Sequence, residues 1–121
     1  MTYKIRVDIV KNRLYVTLVG FPSLDEMQRC GDETIEATRR LRPGYDIITD
    51  ITEFKAGGPD VAKDIERIQA HFRTSGARQG VRVVGERALS GLQFSRTGKL
   101  AEYNSINVAT VAEAEALLDR L

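Results

Sequence analysis

The sequence carries a single cysteine, Cys30, and a single histidine, His71, among its 121 residues. One thiol excludes an internal disulfide, and one Cys with one His excludes a cysteine-based metal cluster. Sparse cysteine also fits a reducing compartment. No apolar run approaches the about 20 residues of a membrane-spanning helix, and the opening MTYKIRVDIV lacks the continuous apolar core of a secretory leader. These absences lead us to expect a cytoplasmic protein with no membrane span. A net charge of +1 selects no strongly charged partner. There is no internal repeat, low-complexity tract or linker, so residues 1–121 are read as one domain.

What is present centres on residues 45–61, YDIITDITEFKAGGPDV. Ile47, Ile48 and Ile51 make an apolar, β-branched run of the kind found in a strand covered on both faces. Asp46 bounds it at the entrance; Asp50, Thr52 and Glu53 bound it at the exit. Gly57 and Gly58 supply the backbone freedom of a corner, Pro59 suits the first helical position, and Asp60 suits the positive end of a helix dipole. Val61, Ile65, Ile68 and Phe72 then recur at helical spacing.

Upstream, residues 3–10 alternate, with Ile5, Val7 and Ile9 opposite Lys4, Arg6 and Asp8, as in a half-exposed strand. A short turn around Asn12 leads to a second strand over 14–20, so the chain opens on a hairpin. Ser23 and Glu26 form a capping box. Leu24, Met27, Gly31, Ile35, Thr38 and Leu41 follow on one helical face until Pro43-Gly44 stops it. Downstream, residues 80–85 (GVRVVG) read as a third interior strand and residues 86–103 as a helix interrupted by Gly91 and Gly98. Residues 105–108 read as a short strand near an edge. Thr110 and Glu113 form a second capping box before a last helix with Ala114, Leu117, Leu118 and Leu121 inward. The expected fold is α/β: a single-layer mixed sheet of about five strands with about four helices packed on it.

This order, with IITDITEFKAGGPDV in the middle and YNSINVATVAEAEALLDRL at the end, resembles the STAS superfamily, and within it the SpoIIAA-like, anti-sigma-factor-antagonist-like branch. The resemblance spans nearly the whole chain on loose motifs. It implies a bacterial, non-enzymatic regulatory domain that binds a protein partner. In signalling members a serine at the start of the second helix is phosphorylated. The matching stretch here is Gly58-Pro59-Asp60, with no serine or threonine, which departs from that switch. A carboxylate carries one charge against a phosphate's roughly −1.5 to −2, so dipole capping by Asp60 is the preferred reading over imitation. The expected partner surface comprises Asp50, Thr52, Glu53, Gly57, Gly58 and Asp60 with Glu86, Arg87 and Ser90 of the next strand's exit, where ligands of α/β folds gather.

Other constellations carry less. Asp46 and Asp50 share a strand face but lie roughly 13 Å apart at strand rise, too far for an acid–base couple. His71 is read as an exposed helix residue without a nucleophile beside it, and Cys30 as a small core residue. Residues 91–99 (GLQFSRTGK) imitate a phosphate loop but have the wrong glycine spacing and no Ser/Thr after the lysine. No catalytic residue, metal site or cofactor is therefore expected. The basic residues from Arg73 to Lys99 are read as a solvated face, and scarce interleaved aromatics argue against nucleic acid. An alternative to the docking reading is a carrier or sensor of a lipid-like or nucleotide ligand, lined by Phe54, Leu89 and Phe94. The outer edge of the hairpin leaves a homodimer open.

Overall fold

In a computed structural model, which describes residues 1–85, 103 and 105–121, the opening alternation becomes strand β1 (Thr2–Asp8) paired antiparallel with β2 (Arg13–Gly20). Asn12 turns the hairpin at φ 57, a left-handed conformation that asparagine tolerates. Its side-chain amide donates to the Arg42 carbonyl and accepts from the Arg42 amide, at 3.1 and 2.9 Å. The apolar run becomes β3 (Asp46–Phe54), followed by β4 (Gln79–Val83) and β5 (Ser105–Val108). The sheet order is β1-β2-β3-β4-β5, with every pairing after the hairpin parallel. Among the described residues three helices join it: α1 (Leu24–Thr38), α2 (Pro59–Thr74) and α3 (Val111–Asp119). This is the expected α/β class with a five-stranded mixed sheet; the helix expected over 86–103 and the imitation phosphate loop lie outside the described residues.

Helices α1 and α2 cover one sheet face, burying Leu14, Val16, Ile47, Ile51 and Phe54 against Met27, Ile65 and Phe72. Helix α3 covers the other face over β3–β5, burying Ile48, Val81 and Val83 under Ala114 and Leu118. Each such side chain contributes about 1.5–3 kcal/mol when fully removed from water. The buried face of α1 is rotated from the expected stripe: Cys30, Thr34 and Ala37 are inside and Ile35 is only half-buried. The reason is close contact with α2, since a Cβ on Gly31 would approach Ile68 Cδ1 to 2.9 Å. Small residues permit that approach where a branched one would not.

At the amino edge of the parallel strands the structure corrects the reading of Asp46 as a boundary residue. Asp46 is buried and accepts two bonds from Arg78, from Nε at 2.9 Å and Nη2 at 2.6 Å. Beside it, buried Arg13 donates to Glu115 at 2.6 Å and to Asp119 at 3.1 Å on α3. Tyr15 adds a bond to the same Glu115 oxygen at 2.7 Å. Burial works to raise the Glu115 carboxyl, but the bonds from Tyr15 and Arg13 outweigh it and hold it below its ordinary value. This network ties the last helix to the second strand. Arg82, expected on a solvated basic face, is likewise buried and donates to Asn107 Oδ1 at 3.2 Å.

Removing a partner from a buried ion network strands the remaining charges, whereas exposed pairs contribute little. Arg13→Met should therefore lower unfolding free energy in urea by about 2–3 kcal/mol. Arg29→Met, which loses the exposed pair with Asp25, should cost at most about 0.5 kcal/mol.

Candidate functional site

The carboxyl ends of β2, β3 and β4 meet at one rim. The rim's shape begins inside β3. Thr17 pairs with Asp50 but Val19 pairs with Glu53, so β3 carries one extra residue, a β-bulge. The Thr52 amide and hydroxyl both donate to Asp50 Oδ1, at 3.0 and 2.6 Å. Strand alternation would send Ile51 and Phe54 to opposite faces; with the bulge both enter the core under α1 and α2. Phe54 is thus fully buried and is no pocket lining, which corrects the carrier reading on that residue.

Past the bulge, the Lys55 amide donates to the Gly20 carbonyl at 3.0 Å, joining the exits of β2 and β3. Gly57 is required by space, because a Cβ there would come within 2.7 Å of the Val61 side chain. Helix α2 starts at Pro59 with Gly58 as its cap residue and no side-chain cap bond. Asp60 is exposed and its carboxylate accepts from the Val61 amide at 3.0 Å, one of the helix's unpaired first-turn donors. Gly85, at φ 55, brings the exit of β4 onto the bulge: a Cβ there would meet Thr52 Cγ2 at 3.0 Å.

Of the residues expected at this surface, Asp50, Thr52, Glu53, Gly57, Gly58 and Asp60 share the rim. Only Glu53, Gly58 and Asp60 are exposed. Asp50 and Thr52 are engaged with each other and shape the backbone. Glu86, Arg87 and Ser90, like Leu89 and Phe94 of the alternative reading, lie outside the described residues.

One rim residue went unread in the sequence. Phe21 is 64% exposed, on the segment leaving β2 directly beside the Lys55 bond. The available signal was position: an aromatic between a strand-ending glycine and a capping box has no element of its own to pack under. Ser23 and Glu26 hold that segment as the expected box, with the Ser23 amide donating to Glu26 Oε1 at 2.9 Å and the Glu26 amide to Ser23 Oγ at 3.2 Å. The Met1 ammonium lies 2.9 Å from Glu26 Oε2. At α3 the box is half formed: Thr110 Oγ1 accepts from the Glu113 amide, while the Glu113 carboxylate reaches the Ala109 amide instead.

The groups with chemical potential lie away from the rim. Cys30 is buried, and burial pushes its thiol up to about 11, which leaves it protonated and poorly nucleophilic. His71 is half-buried rather than exposed. Its Nε2 lies 2.8 Å from Thr38 Oγ1, bridging α2 to α1, and burial, then Arg39 and Arg67, lowers its pKa. Among the described residues no group of three or more His, Cys, Asp or Glu could hold a metal ion, and no helix is long and apolar enough to cross a membrane. A cavity of about 40 Å³ lies between α1, α2 and the sheet, bordered by Thr34, Thr49, Phe72 and Arg82. Small-molecule sites usually span about 300–1,000 Å³. No family model matches this chain, and no curated protein matches it. The rim's own geometry carries the functional argument.

The capping box that steadies Phe21 has a measurable pH signature. The bond from the Ser23 amide, then the Met1 ammonium, lowers the Glu26 carboxyl from 4.5 to about 2. A folded value below the unfolded one contributes stability that is full above pH 4.5 and is lost as pH falls toward 2. Wild type should therefore exceed Glu26→Gln in urea midpoint above pH 4.5, and the gap should narrow steadily on acidification. A gap that stays constant contradicts the assignment.

Proposed function

We propose that this chain is a non-enzymatic, STAS-like regulatory domain that docks a protein partner on the rim formed by the ends of β2 and β3 and the start of α2. The observation that carries the reading is Phe21, a large aromatic held in water at the one edge where three strand exits converge. Aromatic anchors surrounded by polar residues are the usual energetic centres of interfaces. The same rim carries Glu53, Lys55 and Asp60, of both signs and all exposed, with the Lys55 amide bonded to the Gly20 carbonyl next to Phe21. The order of strands and helices among the described residues agrees with the order on which the STAS resemblance rests. The cytoplasm is the compartment proposed for it.

Two features favour docking over chemistry or carriage. Asp50 and Thr52 are occupied in holding the backbone, His71 in joining two helices and Cys30 in the core. The cavity between α1, α2 and the sheet, as bordered by the described residues, is far smaller than a lipid-like or nucleotide ligand requires. The missing serine at Gly58-Pro59-Asp60 makes the rim a surface of fixed charge, with Asp60 committed in part to the helix start.

The test is affinity capture from a lysate of the organism that makes the protein, with wild type, Phe21→Ala/Asp60→Asn, and Val10→Ala at the exposed hairpin tip as the control. All three should melt alike, because the altered side chains are solvent-exposed. A species held by wild type and by Val10→Ala should be retained about tenfold less by the rim variant. Equal retention by all three sinks the rim assignment.

A further inference from the structure

Away from the rim, the other end of the sheet order presents a second surface. Strand β1 pairs with β2 on one side only, and no described residue pairs with its outer edge. Along that edge runs an open groove of about 580 Å³ between β1 and α1, lined by Tyr3, Ile5 and Ala37 together with the charged residues Glu33, Glu36, Arg39 and Arg40. Lys4 also borders it. Strand edges beside a helix are where extended peptides add as a further strand.

The two faces of β1 specify what such a strand must carry. Toward α1, Tyr3, Ile5 and Val7 are apolar and already lean on the core. Toward the other face, Lys4 and Arg6 are both exposed, with the Arg6 guanidinium 3.8 Å over the Tyr15 ring. Helix α3 packs over β3–β5 and leaves these cations uncovered among the described residues. Side chains of an added strand alternate between the faces. We propose that the β1 edge is a docking site for an extended protein segment in which apolar residues, entering the groove, alternate with acidic ones, meeting Lys4 and Arg6.

A second copy of this chain is the competing occupant, and charge weighs against it only in part. A symmetric antiparallel pair centred on Ile5 sets Lys4 opposite Arg6 twice, and one centred on Lys4 sets that cation opposite its own copy; like charges directly opposite disfavour both. Centring on Val7 instead sets Arg6 opposite Asp8 twice, so the oligomeric state is measured alongside the peptides.

The probes are two blocked synthetic peptides, Val-Glu-Val-Glu-Val and Val-Lys-Val-Lys-Val, titrated into ¹⁵N-labelled protein at low ionic strength. The glutamate peptide should shift amides of residues 2–8 and 33–40 and bind about tenfold more tightly than the lysine peptide. N-methylating alternate amides on the edge-facing side of the glutamate peptide should abolish binding, because the strand hydrogen bonds are lost. Lys4→Glu/Arg6→Glu should invert the preference between the peptides. The proposal is overturned if both peptides bind wild type alike, if the shifts fall on the rim, or if the variant keeps the wild-type preference. Sedimentation showing a dimer that the glutamate peptide fails to dissociate also overturns it. Should the variant not fold, the wild-type comparison and the N-methylated peptide still decide.

Discussion

The Asp50 carboxylate, bound to both the amide and the hydroxyl of Thr52, is the interaction on which the carboxyl rim of the sheet depends. It stabilises one extra residue in β3, and that residue resets which side chains face inward. Because Phe54 then turns into the core, the chain leaves the sheet at Lys55 next to Gly20, and the Gly57-Gly58 corner can feed α2 back over the same face. Without the bulge, strand alternation would put Phe54 on the α3 side and carry the exit loop elsewhere. A polar pair that reads in sequence as part of a partner surface is, in physical terms, a backbone clamp.

The two edges of the parallel sheet are built on opposite principles. At the amino edge two buried charges are paired with distant partners, Asp46 with Arg78 from 32 positions away and Arg13 with Glu115 and Asp119 from more than 100. Such networks contribute less net stability than their number suggests, but they tolerate little change. At the carboxyl edge Phe21 and the charged residues Glu53, Lys55 and Asp60 are all exposed. One edge fixes how α3 sits; the other keeps its charges exposed. The outer edge of β1 is a third case: among the described residues its backbone is unpaired, with the exposed cations Lys4 and Arg6 beside it.

Local periodicity made most of the architecture legible. The hairpin, the buried β3, the Gly-Gly-Pro entry to α2 and the Ser23–Glu26 box all follow from residues within one turn or strand of each other. Features set by distant partners were not legible. Arg13 meets Glu115 from 102 positions away, so nothing near Asp46 or Arg13 in sequence marks either as buried. The face of α1 was misjudged at Ile35 because apolar size was weighed, whereas Gly31 and close packing on α2 decided the rotation. Nothing beside His71 in sequence marks it as half-buried, because its partner, Thr38, lies on another helix. The bulge escaped for a subtler reason: DITEF fits an unbroken strand until the register with β2 is known.

Amide hydrogen exchange at Thr52, compared between wild type and Asp50→Ala, tests the role of the clamp most directly. A clamp that holds the bulge should, when removed, speed exchange at Thr52 by about tenfold or more. Ile47 and Ile48, paired on both sides within the sheet, should keep their protection. If Thr52 in the variant exchanges as slowly as in wild type, the bulge stands without Asp50, and the account of how the rim is shaped is wrong.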